Sequence, residues 1–425
     1  MTAATGAGAS RASGSVLIVA GEASGDRIAA RIARSLQRDG AHCVGMGGPA
    51  CDAAGVELVA DLRETAAMGL TEVVARLPAV ARAFARVVAL ARDVRPAAAL
   101  LVDYTEFNLR LGTLLKRYGV PVLWCVAPQV WAWRAGRMKQ VARALDRLAV
   151  ILPFEEPLWR AQGVEAHYVG HPALDNVPID AAVARARLGI GTACPSVAIL
   201  PGSRPHEIRR HAPPMLATLR ELARAGTPVE ARLVLAASLD AATRRWVTAK
   251  ADEAGLPILA ADADAGAAPW LGAFDVALTA SGTATLECAL AGAPPVVVYR
   301  LSPLTAAVAR RVVRTRFVAL PNILLGTGVY PELLDREVEP LRMARALSTV
   351  LERRSDFEHR AEELRALLAW KARSSGVGSA APEGDTSADR TASLLSPWLS
   401  PRARPRSTEP KVWPRPRAHD TSVPP

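Results

Sequence analysis

Short, continuous apolar runs alternate with longer amphipathic stretches along most of the chain. Four runs fall in the first half, at residues 15–20, 98–102, 121–126 and 148–152, and four in the second, at 196–200, 231–235, 275–279 and 295–299. A run without polar alternation suits a strand buried on both faces. Such strands, separated by helix-length segments, predict parallel sheets with helices on either side. The pattern occurs twice, with Pro172 and Pro178 breaking the stretch between. It predicts an α/β chain of two Rossmann-like domains, residues 15–172 and 186–373, joined by a linker over 173–185. Two such domains face each other across a cleft, with the carboxyl ends of both sheets on its walls. Residues 1–14 and the Pro-, Ser-, Ala- and Arg-rich stretch 374–425 lack periodicity and are expected to be disordered. The closing helix, expected over about 356–373, either crosses back to the first domain or pairs with a second subunit in a homodimer.

Composition narrows the class. The chain has 425 residues, half of them apolar, which is enough for two cores. No apolar run approaches the roughly 20 residues that span a bilayer. Residues 1–14 lack the apolar core of a secretory signal, so a cytosolic location is expected. Cys43, Cys51, Cys125, Cys194 and Cys288 form no CxxC pair, which suits a reducing compartment and supplies neither a zinc nor a disulfide framework. The net charge of +11 admits nucleic acid, an anionic membrane surface or a phosphorylated substrate as partner. The aromatic residues are not interleaved with Lys and Arg as on an RNA-reading sheet, and no zinc or helix-turn-helix pattern appears, which argues against nucleic acid.

Candidate chemistry sits where strands end. After the first run comes Gly21-Glu-Ala-Ser-Gly-Asp26, where two glycines permit close approach and Ser24 or Asp26 can cap a helix. Its spacing is not a dinucleotide fingerprint, and Glu22 would repel a pyrophosphate, so the loop suits a hydroxyl-rich acceptor or is simply a capped turn. After 98–102 come Asp103 and Glu106, either a general base beside the cleft or helix caps. Trp131, Trp133, Arg134 and Arg137 cluster after a third strand, where they form either a binding surface or core packing. Arg204, in Leu200-Pro-Gly-Ser-Arg204, is aimed by a turn and suits a departing diphosphate. Finally, Ser281-Gly-Thr-Ala-Thr-Leu-Glu287 puts Ser281, Gly282 and Thr283 at a helix start that suits an anion, with Glu287 placed for ribose hydroxyls. Alone, that segment reads more readily as an ordinary capped αβ turn, because Ser-Gly-Thr before a helix is common capping chemistry.

Together these segments resemble the lipid-A-disaccharide synthases, inverting glycosyltransferases of the two-domain GT-B fold. The resemblance spans roughly residues 15–370. It rests on the segments above together with Met68-Gly-Leu-Thr-Glu-Val73, Pro128-Gln-Val-Trp-Ala-Trp133, Leu152-Pro-Phe-Glu155, Val169-Gly-His-Pro172, Leu320-Pro-Asn322 and Pro331-Glu-Leu-Leu334, in this order and spacing. It implies transfer of 2,3-diacylglucosamine from UDP to the 6-hydroxyl of 2,3-diacylglucosamine 1-phosphate. By the same resemblance Asp103 matches the base, Arg204 and Asn322 the donor diphosphate contacts, Glu287 the ribose contact, and Glu22 the acceptor side of the cleft. No metal or other cofactor is implied, because helix amides and Arg supply the charge stabilisation.

Acylated substrates imply peripheral contact with the cytoplasmic face of the inner membrane. Met68, Leu70, Val73 and Phe84, with arginines beside them, suit an interfacial surface of two helices broken near Pro78, or helices buried on the sheet. Two departures from the family pattern stand out. Tyr104-Thr105-Glu106 replaces a small residue, Pro and Asp, and Asp335 stands where Gln is common. A UDP-sugar epimerase, a nucleic-acid-binding protein and an inactive relative are the competing readings.

Overall fold

A computed structural model describes residues 14–65, 70–133, 135–176, 178–263, 265–301, 315–370 and 385–400. Two all-parallel sheets organise it. The first contains β1 (Ser15–Ala20), β2 (His42–Gly47), β3 (Glu57–Asp61), β4 (Ala98–Val102), β5 (Val122–Cys125), β6 (Arg147–Val150) and β7 (Glu165–Tyr168), in the order β3-β2-β1-β4-β5-β6-β7. The second contains β8 (Ser196–Leu200), β9 (Glu230–Leu235), β10 (Ile258–Ala260), β11 (Val276–Ala280), β12 (Pro295–Tyr299) and β13 (Glu332–Leu334), in the order β10-β9-β8-β11-β12-β13. The central strands β4, β5, β8 and β11 are buried along their whole length, because helices cover both faces. These are two Rossmann-like domains in GT-B arrangement.

The strand order fixes where chemistry can occur. In each sheet the order reverses once, between β1 and β4 and between β8 and β11. At such a point the loops leaving the two strands diverge and open a crevice beyond their carboxyl ends. The candidate residues Glu22, Asp103, Arg204 and Thr283 follow β1, β4, β8 and β11 respectively.

Several expectations are corrected. Pro78 does not break its segment: Leu70–Val94 is one helix with the proline inside it. Ala83, Val87 and Ala91, four residues apart, are fully buried in the first core and hold that helix on the sheet. Nor is the linker 173–185 all connection. Helix Ala181–Leu188 begins inside it, capped by Asp180, whose carboxylate accepts from the N–H groups of Ala182 at 3.0 Å and Val183 at 3.1 Å. Ala184 anchors this helix in the second core.

The stretch 374–425 is not wholly without structure either. Ser387–Leu399 is a helix, begun by a Thr386–Asp389 capping box. Ala388, Ala392 and Leu395 bury one face of it against the first domain. Asp389 accepts from Ser35 Oγ at 2.7 Å and pairs with Arg38, and Arg147 stacks on Trp398. The composition hid a thirteen-residue amphipathic element inside polar flanks. The preceding helix, Ser355–Leu368, packs on helices Thr283–Leu290 and Leu320–Leu325 of the second domain. At its end, Tyr168 Oη of the first domain donates to the Leu368 carbonyl at 2.6 Å. The return to the first domain is therefore made by Ser387–Leu399.

Candidate active site

Asp103 ends β4 in a left-handed conformation, φ 50°, and Tyr104 follows at φ 46°. Two consecutive non-glycine residues there store strain of about 1–3 kcal/mol each. Asn108 offsets it. Fully buried, it donates from Nδ2 to the carbonyls of Val102 at 3.3 Å and Asp103 at 2.7 Å, fixing the turn from below. The Tyr104 ring stacks on Phe107 with centroids 5.1 Å apart and lies over Gly21. A Cβ on Gly21 would meet that ring at 2.2 Å, so close approach of the β1 and β4 loops requires glycine.

Arg204 faces this turn from the second domain. It precedes helix Pro205–Arg224, and Glu207 folds back to accept from the N–H groups of Ser203 at 3.1 Å and Arg204 at 3.3 Å and from Arg204 Nη1 at 3.2 Å. Gly202, at φ 125°, leaves the space this carboxylate occupies. The other end of the guanidinium pairs with Glu22 across the cleft. Burial works against the Arg204 charge, but the Glu22 and Glu207 carboxylates outweigh it and hold the guanidinium firmly protonated. Asp103 feels both neighbours. Desolvation and the negative Glu22 push its pKa up to about 7, against the lowering effect of Arg204 and of the Tyr104 amide. A carboxyl tuned to neutral pH beside the Glu22 and Arg204 charges is suited to removing a proton.

A cavity of about 710 Å³ opens beside this cluster. Its floor carries Glu22, Ser24 and Arg204, and its wall is apolar, with Val80, Phe84 and Phe107 among the residues presented. Phe84 meets Phe107 edge-on at 5.2 Å. Leu77, 54% exposed, forms part of the lip. Glu106 also lines the cavity and pairs with Arg137. Of the proposed interfacial residues, Phe84 thus faces a cavity, Met68 lies outside the described residues, and Leu70 and Val73 begin the helix that forms the wall.

A second, smaller crevice lies between the domains, lined by Ser24, Arg27, Thr283 and Glu287. Gly282 leads into helix Thr283–Leu290, whose first N–H groups have no side-chain cap. Glu287 reaches Arg27 of the first domain at 3.4 Å. Ser281, by contrast, donates its hydroxyl to the Val318 carbonyl at 3.0 Å and so braces the neighbouring loop.

Three expected site residues turn inward. Asp26, only 3% exposed, accepts from the N–H groups of Gly48 at 2.7 Å, Ala50 at 2.9 Å and Cys51 at 3.2 Å, capping helix Pro49–Ala53 instead of facing the acceptor side. Asn322 is fully buried and has every hydrogen bond met within its own domain. It donates to the Tyr330 carbonyl and to Glu332, each at 2.9 Å, and accepts from the N–H groups of Val329 at 3.0 Å and Tyr330 at 2.9 Å. Its amide pins the 320–332 loop and has no capacity left for a diphosphate. Trp131 packs on Phe154 and donates to buried Glu155 at 3.0 Å, which makes it a core residue. Burial pushes that carboxyl up to about 8 despite the indole hydrogen bond. Arg134 lies outside the described residues. Asp335 accepts from the Leu301 N–H at 3.0 Å. Sequence reasoning passed over Glu207 and Arg27. The carboxylate three residues after Arg204, with proline between, was a readable capping signal, whereas Arg27 reaches the crevice only through the tertiary fold.

The family model described as lipid-A-disaccharide synthetase matches residues 16–375. A lipid-A-disaccharide synthase of Anaeromyxobacter dehalogenans (strain 2CP-C) is 42% identical over 357 residues, covering 83% of this chain and 92% of the relative. One of Myxococcus xanthus (strain DK1622) is 43% identical over 341 residues, covering 79% and 87%. Among solved structures, the calicheamicin glycosyltransferase CalG4 superposes with TM-score 0.53 at 15% identity, covering 91% of this chain and 98% of its own. UDP-GlcNAc 2-epimerase from Neisseria meningitidis bound to UDP-GlcNAc does so with TM-score 0.56 at 11% identity, covering 91% and 99%. At those identities the structural likeness carries the fold alone, while the sequence matches carry the family and its glycosyltransferase activity on sugar-nucleotide and lipid-phosphate substrates. The chain belongs to the lipid-A-disaccharide synthase family.

Proposed function

We propose that Asp103 is the general base of this transferase, in a reaction that joins 2,3-diacylglucosamine from UDP to the 6-hydroxyl of 2,3-diacylglucosamine 1-phosphate with inversion. The observation that carries this reading is an apolar-walled cavity whose polar floor holds Glu22 and Arg204 beside the Asp103 turn. An acyl chain suits the wall formed by Val80, Phe84 and Phe107, and the sugar the floor. Asp103 takes the proton of the acceptor hydroxyl as its oxygen bonds to the donor's anomeric carbon. The bond from that carbon to the diphosphate breaks on the opposite face, and UDP leaves with the electron pair. Arg204 meets the charge that develops on the diphosphate, and helix Thr283–Leu290 adds its N-terminal amides. Glu287 receives the ribose hydroxyls.

Helix Leu70–Val94 presents exposed Leu77 at the cavity lip, with the exposed basic residue Arg82 further along the same helix. We place this lip against the cytoplasmic face of the inner membrane, where an acylated acceptor enters without leaving the lipid surface. No described helix is long and apolar enough to cross a membrane.

Purified protein given both substrates in detergent should form disaccharide and UDP, and Asp103→Asn should lower turnover by roughly 10²- to 10⁴-fold with UDP affinity retained. Equal turnover of the two proteins removes Asp103 as the base. In a pH profile, kcat/KM should rise to a plateau with a midpoint near the value of about 7 given for Asp103, since only the ionised carboxylate accepts a proton. Glu22→Gln should move that midpoint to lower pH, because it deletes the negative neighbour and leaves Arg204 acting on Asp103 alone; an unmoved midpoint would mean the profile reports another group. In sedimentation with vesicles containing anionic lipid, Leu77→Asp should bind several-fold less than wild type, and equal binding would place the membrane surface elsewhere.

A further inference from the structure

The inter-domain crevice contains a hydrogen-bond donor that the mechanism above does not use. His171 lies where the first domain passes into the second, in the Val169-Gly-His-Pro172 segment, and is only 3% exposed. Its Nδ1 accepts the Ala173 N–H at 3.1 Å, so the neutral ring carries its proton on Nε2. Desolvation pushes the ring's pKa down to about 4, which keeps it neutral across the working range. Nε2 is buried and has no hydrogen-bond partner among the described residues. A buried donor left in that state destabilises a fold by about 1–3 kcal/mol, so its retention points to a ligand that satisfies it.

The surroundings say which kind of ligand. The His171 ring lines a crevice of about 40 Å³ together with Arg27, Thr283 and Glu287. Thr283 begins an eight-residue helix with no side-chain cap. Arg27 adds a guanidinium, whose pairing with Glu287 at 3.4 Å is loose. A neutral N–H, a cation and uncapped helix amides converge on a space the size of a phosphate group.

We propose that His171 Nε2–H donates a hydrogen bond to the diphosphate of the sugar nucleotide, bound at the N-terminus of helix Thr283–Leu290. This rests on the nucleotide site described under Proposed function. It adds a contact from the connection between the domains, so that holding the donor also ties that connection to the second domain. His171 is a binding and positioning residue here, and Asp103 keeps the proton transfer.

The test is calorimetric titration of the full-length wild type, His171→Leu and His171→Gln with UDP and with uridine. The Leu variant should weaken UDP about tenfold or more while uridine affinity stays within about twofold, and the Gln variant, which can still donate, should recover most of the UDP affinity. UDP affinity unchanged in His171→Leu overturns the proposal, as does an equal loss of UDP and uridine, which would mark a purely structural role. Wild type that binds neither compound would sink the nucleotide site itself, and this contact with it. A measurement without substitution guards against variants that fail to fold: in ¹⁵N-histidine-labelled wild type, UDP but not uridine should shift the His171 Nε2–H resonance downfield. No shift with saturating UDP overturns the contact.

Discussion

The ion pair between Glu22 and Arg204 joins the two halves of the catalytic cleft. One partner follows the first strand of the first sheet and the other the first strand of the second, so the contact holds two switch-point loops face to face. Both partners are part-buried, with side chains 41% and 36% exposed, so the pair orients the two loops while water still screens part of its charge. Glu207 makes the arrangement directional. By accepting from the backbone and one nitrogen of Arg204, it leaves the other end of the guanidinium to reach across. Asp103 sits within the field of both charges, and its protonation follows their balance.

The strain beside this contact is held locally. In the left-handed Asp103–Tyr104 turn, Asn108 of the following helix holds the Val102 and Asp103 carbonyls, and Gly21 admits the Tyr104 ring from the neighbouring loop. The turn points the chain away from the strand line and places an aromatic ring between the charged floor and the apolar wall. A substrate with a polar sugar and long acyl chains needs such a boundary, because each part is poorly solvated by the other's surroundings. The two features meet along helix Leu70–Val94, whose buried alanines hold it to the sheet while Val80 and Phe84 face the cavity.

The architecture was legible because a parallel sheet writes itself as unbroken apolar runs. All eight runs read from the sequence became strands; β2, interrupted by two glycines, and the short edge strands β3, β7, β10 and β13 did not stand out. Strand ends singled out the candidate residues: Glu22, Asp103, Arg204 and Thr283 all follow strands at the switch points. What sequence could not supply was direction. Asp26 lies four residues beyond Glu22 in the same loop and helix start, yet one faces a backbone turn and the other the cleft. Asn322 and Trp131 have the chemistry of binding residues and serve packing instead, a distinction made only by which neighbours fill their valences. Helix Ser387–Leu399 was missed because its apolar face is small, built from alanines and a leucine, and is stable only on its docking surface.

The account turns on whether Asp103 is a carboxyl held near neutrality by desolvation and Glu22. The most direct measurement is a ¹³C NMR titration of the Asp103 side-chain carboxyl in the unliganded wild-type protein, assigned with Asp103→Asn. The account predicts a midpoint about three pH units above an ordinary aspartate, near the value of about 7 set by its surroundings. A midpoint near 4 would show a solvated, already ionised carboxylate, and would contradict its assignment as the tuned base of this cleft.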